Sequence, residues 1–233
     1  VLVRRIRTFS DNDTLVEDRR RQIAQTAAKL LIKKGYETVT TRELARGLHV
    51  SKGTLYHYVG SKEDVLYLVV HFALADQQEF IRRLRIETES MKPSDALWES
   101  VRMYFEQVDR LQDIYNLVNH AIVNLPRRDR LPLYVTETNN VAYFEELLRK
   151  GIQAGEFASN NVQLVAHDIV VSAHAWANRR WFLQRRYTLD QYTREYTEFL
   201  MSALRVASLP TVAQNRPDGN RNGFGGNKDS RAW

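Results

Sequence analysis

Three helix-start signals crowd the first third of the chain, at Thr40, Ser51 and Ser61. Thr40 precedes Thr41-Arg42-Glu43-Leu44-Ala45, and the glutamate three residues on completes a capping box. Ser51 opens Lys52-Gly53-Thr54-Leu55-Tyr56-His57-Tyr58, with Val50 and Leu55 placed as a hydrophobic staple. Ser61 precedes Lys62-Glu63-Asp64. Each side-chain oxygen takes up a backbone N–H that a helix start leaves unpaired. The chain must therefore turn twice between short helices, which is the grammar of a helix-turn-helix, a device that lays one helix in the DNA major groove.

The remainder reads helical as well. Residues 15–34 put Ile23, Ala27, Leu30 and Leu31 on one face ahead of Gly35. The spacing predicts further helices over 52–59, 61–88, 93–110 and 113–124, then a basic loop over 126–132 bounded by Pro126 and Pro132. Helices over 133–154, 161–187 and 188–207 complete the set, the last opened by Thr188 with Gln191 three residues on. No strand pattern of useful length appears. The reading is all-α, with a three-helix N-terminal domain over 15–62 and six helices over 63–207. Residues 1–14 read as a loose basic arm, and residues 208–233, rich in Pro, Gly, Asn and charge, as a disordered tail.

Charge placement supports a polyanion partner at the N-terminal end. Residues 1–65 hold thirteen Lys/Arg against eight Asp/Glu, which accounts for +5 of the net +6. With no cysteine there are no disulfides or thiolate metal sites, and a cytoplasmic home is the simplest expectation. No apolar run is long enough to span a bilayer. No nucleotide-binding glycine loop, His-Glu-x-x-His or Gly-x-Ser-x-Gly is present, and the adjacent Glu145 and Glu146 diverge by about 100° on a helix, so the chain is not expected to be an enzyme.

With Ser51 as N-cap, Leu55 and Val59 face inward while Gly53 and His57 point away, flanked by Thr54 and Tyr56. Gly53 permits close backbone approach, and Thr54 suits a thymine methyl or a base edge. Lys52, Tyr56 and His57 suit phosphate oxygens. Lys62, Thr41 and Arg42 stand at helix starts, where phosphates are favoured. Three short capped helices also occur in domains that never meet nucleic acid.

The run from Thr40 through Tyr58 to Glu63 closely resembles the signature of TetR-family transcriptional regulators, over about residues 19–66. The resemblance implies a homodimer that reads a palindromic double-stranded operator, with an effector-binding and dimerisation domain behind the helix-turn-helix. It implies DNA contacts at Thr41, Lys52, Gly53, Thr54, Tyr56, His57 and Lys62. Tyr58-Val59 departs from the Tyr-Phe or His-Phe pair of many members. The expected function is a ligand-responsive regulator, a repressor. The alternative is an architectural or division-linked DNA-binding protein of the same fold without an effector.

In the C-terminal part, Ala166, Val170, Ala173 and Ala177 form a small-residue seam, with Tyr196 and Phe199 on the last helix. The seam either packs within its own domain or, as the resemblance implies, makes the dimer interface. Phe72, Trp98, Tyr104, Phe105, Tyr115, Asn119, Tyr143 and Trp176 either line a cavity for an acyl or lipid-like effector or are core. His71, His120, His167 and His174 either converge on zinc or nickel or sit as isolated imidazoles. No cofactor is required by this reading, and no membrane partner is expected.

Overall fold

A computed structural model describes Ile6 and residues 13–121, 125–159 and 161–204. The described residues form ten helices: α1 (Asp13–Lys34), α2 (Thr41–Gly47), α3 (Lys52–Tyr56), α4 (Lys62–Thr88), α5 (Pro93–Arg110), α6 (Gln112–Ala121), α7 (Arg127–Gln153), α8 (Val162–Asn178), α9 (Arg180–Leu183) and α10 (Leu189–Leu204). No strand occurs among them. The expected tail over 208–233, and the arm apart from Ile6, lie outside the described residues. Ile6 itself is buried in the N-terminal core and its carbonyl oxygen accepts from Arg20 Nη2 at 2.8 Å, so the arm is anchored at that point.

The local rules hold where they were strongest. Gly35 ends α1 at φ +80°, its N–H bonding to the Leu31 carbonyl at 2.8 Å. Thr40 Oγ1 accepts from Glu43 N at 3.2 Å, and Glu43 Oε2 accepts from Thr40 N at 2.9 Å, a complete capping box. Ser51 Oγ accepts from Thr54 N at 2.9 Å, and Ser61 Oγ from Asp64 N at 3.1 Å.

Three expectations need correction. Helix α3 ends at Tyr56 rather than Val59, as the Tyr58 N–H bonds the Leu55 carbonyl three residues back, a turn tighter than the α-helix. The segment 126–132 is the first turns of α7, not a loop. Pro126 is the N-cap, Asp129 N bonds to its carbonyl at 2.9 Å, and Pro132 lies inside the helix, where it forgoes its own backbone bond without ending α7. The helix expected over 161–187 breaks at Arg179, and α9 follows, tied to α6 by Arg180 Nη1 to Asp113 Oδ1 at 3.1 Å.

Two apolar clusters organise the molecule. One joins α1, α2, α3 and the first half of α4, and it also takes in Leu117 and Val118 of α6. The other gathers the second half of α4 with α5, α7, α8 and α10 around Tyr104, Phe105 and Phe144. Helix α4 runs through both. The small-residue seam lies wholly in the second cluster: Ala166, Val170, Ala173 and Ala177 are buried, and they let α8 approach α5 and α7 closely. Of the two readings of the seam, internal packing is the one realised.

Candidate nucleic-acid interface and effector cavity

Leu55 and Val59 pin α3 to the core, which leaves Lys52, Gly53, Thr54, Tyr56 and His57 exposed on one side. A Cβ on Gly53 would meet only Ser51 Oγ, so the backbone there is open to close approach. Thr54 Oγ1 lies 2.8 Å from Ser51 Oγ, and the Lys52 ammonium stands 5.6 Å from the Tyr56 ring centroid, which orders both side chains in advance. Arg42 is exposed and Thr41 half-buried at the start of α2. Lys62 is more engaged than the sequence suggested. Its Nζ donates to the Glu37 carbonyl at 3.1 Å and lies 4.4 Å from the Tyr36 ring centroid.

A buttress behind this surface escaped the sequence reading. Glu43, already used in the capping box, also accepts from Lys34 Nζ at 2.5 Å. That bond, followed by those from Thr40, holds its carboxyl down at about 2. Arg20 Nε donates to the Tyr58 carbonyl at 3.2 Å. Burial lowers the Arg20 pKa, opposed by the charges of Glu17 and Asp64.

A cavity of about 180 Å³ lies between α4, α6, α7 and α8. Its wall is aliphatic at Ala73, Leu74, Ile114, Val118 and Leu133, and polar at Gln77, Tyr115, Thr136, Glu137, Asn140 and His174. The Tyr115 hydroxyl donates to Gln77 Oε1 at 3.0 Å, and Asn140 Nδ2 donates to the Tyr104 hydroxyl at 3.2 Å. Both amides are thereby held by one end. Their other ends, Gln77 Nε2 and Asn140 Oδ1, are buried without a partner, as is His174 Nε2. His174 Nδ1 stands 3.8 Å from Glu137 Oε1, and its ring lies 5.1 Å from Tyr115 centroid to centroid. Burial lowers the His174 pKa more than Glu137 raises it, which favours neutral imidazole.

Of the aromatic set named for an effector, Tyr115 alone lines this cavity, with Tyr104 directly behind Asn140. Phe72 packs in the N-terminal cluster under Arg21, and Trp98 is exposed. Phe105 stacks on Tyr196 at 5.2 Å, Tyr143 bonds Ser100 Oγ at 2.6 Å, and Trp176 Nε1 donates to Asp109 Oδ1 at 2.6 Å. These rings are core because they fill the helix contacts themselves. The side chain of Asn119 lies outside those described. Asn140 is among the polar residues that the sequence offers on the helices around an effector cavity, whereas Gln77 was missed, though it left a signal: a long polar amide on an otherwise apolar face of α4, among Leu74, Ile81 and Leu84.

Among the described residues the histidines do not converge, and no group of three metal-ligating side chains forms. His167 and His174 share a side of α8 but sit about 10 Å apart along its axis. His167 is exposed, whereas His71 is half-buried against Tyr67 and Phe72. The side chain of His120 lies outside those described.

Of the residues named for a dimer interface, Phe199 faces solvent at 67% exposure, while Tyr196 is tied down by its hydroxyl donating to Asp168 Oδ2 at 2.9 Å. Leu164 and Val171, on the outer side of α8, are 62% and 42% exposed. No helix among the described residues is long and apolar enough to cross a membrane.

Residues 23–67 match the family model described as bacterial regulatory proteins, tetR family. The chain is 30% identical over 213 residues to the HTH-type transcriptional regulator HbdR of Aromatoleum sp. (strain CIB), covering 91% of this chain and 92% of that protein. It is 24% identical over 201 residues to the HTH-type transcriptional repressor KstR2 of Rhodococcus jostii (strain RHA1), covering 84% and 95%. The fold matches that of AibR, crystallised in complex with isovaleryl coenzyme A and operator DNA, with a TM-score of 0.65 at 22% identity over 78% of this chain and 98% of AibR. A match of this length to HbdR, with the family signature falling on α1 to α4, means that the chain belongs to the TetR family of bacterial transcriptional regulators.

Proposed function

We propose that the chain is a cytoplasmic repressor that binds a palindromic operator as a homodimer and lets go when a short acyl thioester enters the cavity. Residues 15–62 serve as the DNA-binding domain, with Thr41, Arg42, Lys52, Gly53, Thr54, Tyr56 and His57 as its DNA contacts and Lys62 as a support for the loop after α1. Residues 63–207 bind effector and partner, the second copy covering Leu164, Val171 and Phe199.

The observation that carries this reading is the position of α6. Val118 is both a wall of the cavity and, with Leu117, part of the core that holds α1 to α4. Occupancy of the cavity therefore bears directly on the element that packs against the helix-turn-helix. A ligand that fits one placement of α6 better than the other shifts the population between operator-competent and incompetent dimers. The acyl thioester is supported by the complex of AibR with isovaleryl coenzyme A, and the repressor sign by the name of KstR2. The cavity is close in volume to the ~150 Å³ apolar cavity that holds a benzene ring, so the acyl part is short. An effector-free architectural protein would have no use for three cavity residues, Gln77, Asn140 and His174, that each carry an unpaired buried polar atom.

The test is fluorescence anisotropy of a duplex from the promoter next to the chain's own gene, titrated with isovaleryl-, hexanoyl- and 3-hydroxyhexanoyl-coenzyme A. Saturable binding by a dimer, weakened at least about tenfold by one thioester, is expected. Binding that none of the three alters would overturn the acyl thioester; no binding by a folded dimer would overturn the operator model.

A further inference from the structure

The cavity's polar groups specify more than its volume does. Gln77 and Asn140 are 4% and 3% exposed, both line the cavity, and each carries one buried, unpartnered side-chain atom. Gln77 Nε2 can only donate and Asn140 Oδ1 can only accept. The third such atom, His174 Nε2, accepts when the imidazole proton sits on Nδ1, the side facing Glu137. Leaving buried donors and acceptors unmet is costly, and each is cheaply met by a ligand of matching chemistry.

We propose that the end of the effector buried in this cavity carries a hydroxyl group on a short carbon skeleton, recognised by Gln77, Asn140 and His174. The hydroxyl oxygen accepts from Gln77 Nε2 and its proton goes to Asn140 Oδ1 or His174 Nε2. Among the described residues no lysine or arginine lines the cavity, and Glu137 does, so a carboxylate or phosphate at this end would meet acceptors and a negative charge. A plain alkyl end would fill the volume and strand all three polar atoms. This inference rests on the cavity being the effector site and adds what the site selects.

Four probes of one size separate the chemistries: cyclohexanol, methylcyclohexane, cyclohexylamine and cyclohexanecarboxylate, each titrated calorimetrically into the full chain without DNA. Cyclohexanol is expected to bind about tenfold or more tighter than the other three. Gln77→Leu should cut that preference to near one, with His174→Phe as a second variant should the first lose its fold. Equal or tighter binding of methylcyclohexane overturns the proposal, as does preference for cyclohexylamine, which would mark a cation site on Glu137. Absence of binding by all four overturns it as well. None of the probes is a thioester, so the two readings fail separately. A cyclohexanol preference with no response to acyl thioesters keeps the hydroxyl site and removes the thioester. Thioester release of DNA without a cyclohexanol preference does the reverse.

Discussion

The Arg20 guanidinium ties the two ends of the DNA-facing unit together: its Nε bonds the Tyr58 carbonyl at 3.2 Å while its Nη2 bonds the Ile6 carbonyl at 2.8 Å. One side chain on α1 thus sets where the chain leaves α3 and where the N-terminal segment crosses. Arg20→Ala should strand both carbonyls and cost about 1.5–3 kcal/mol of stability, read as a lower denaturation midpoint. Operator affinity should fall further than Arg19→Ala lowers it, since among the described residues Arg19 bonds only its neighbour Gln22. Equal effects of the two variants would show that Arg20 acts as a surface charge and no more.

Glu43 gives a pH prediction of definite sign. Its carboxyl is held at about 2, against an ordinary 4.5, chiefly by Lys34 and then by Thr40. The folded state therefore binds this proton less readily than the unfolded chain. The stabilisation is complete above about 4.5 and drains away as pH falls toward 2. NMR titration of the Glu43 side chain should show the depressed value, and Lys34→Ala should move it upward. An unchanged value in Lys34→Ala would assign the effect to the capping box alone.

Burial lowers the pKa of His174, and of His71 on α4, so both favour the neutral state in the folded chain. Below the usual imidazole value of 6.5 the unfolded chain takes up protons that the folded one resists, and stability falls with pH in that window. Urea midpoints measured from pH 7.5 to 5.5 should decline, and the double variant His71→Gln, His174→Gln should decline less. Parallel curves for both proteins would place the pH dependence elsewhere.

The seam on α8 and the exposed face beside it should respond oppositely to substitution. Ala173 is fully buried in the second core, and Ala173→Leu forces an overpacked contact among α5, α7 and α8, at a cost of about 1–3 kcal/mol. Phe199→Asp removes an exposed ring and should leave the thermal midpoint of the monomer nearly untouched. Light scattering should then show a monomer at micromolar concentration. A dimeric Phe199→Asp would move the interface off this face.

What was legible in the sequence was what depends on near neighbours along the chain. The caps at Thr40, Ser51 and Ser61 form within three residues of themselves, so their hydrogen bonds are written in local order. Pro132 misled because proline is read locally as a helix stop, whereas a 27-residue helix packed along its length tolerates one interior proline. The α8 seam stayed ambiguous because small residues invite close approach by any helix, and nothing in Ala166 or Ala173 says whether that helix belongs to the same chain. The cavity was read from the wrong residue types. Phe105, Tyr143 and Trp176 are large enough to close the gaps between helices, so the space left over falls where the side chains are aliphatic or amide. The amides at Gln77 and Asn140 become informative only once four helices bring them together.

Filling the cavity separates DNA binding from its control. Ala73 and Leu74 line it from α4, and the α4 residues of the core that seats α3 end at Phe72, with Leu74 packed against them. Ala73→Leu occupies part of the cavity with carbon that belongs to the protein, so an effector must displace or clash with it. The variant should keep its operator affinity within about twofold, because no DNA-facing residue moves and the added atoms fill a void. Its response to every acyl thioester that releases the unaltered chain should fall by about tenfold or more, read in the same anisotropy titration. A variant that still released DNA normally would locate the effector outside this cavity. One that lost the operator without any ligand would mean that the filled cavity is itself the released state, with Val118 of α6 transmitting the push of an added side chain as it would that of a ligand.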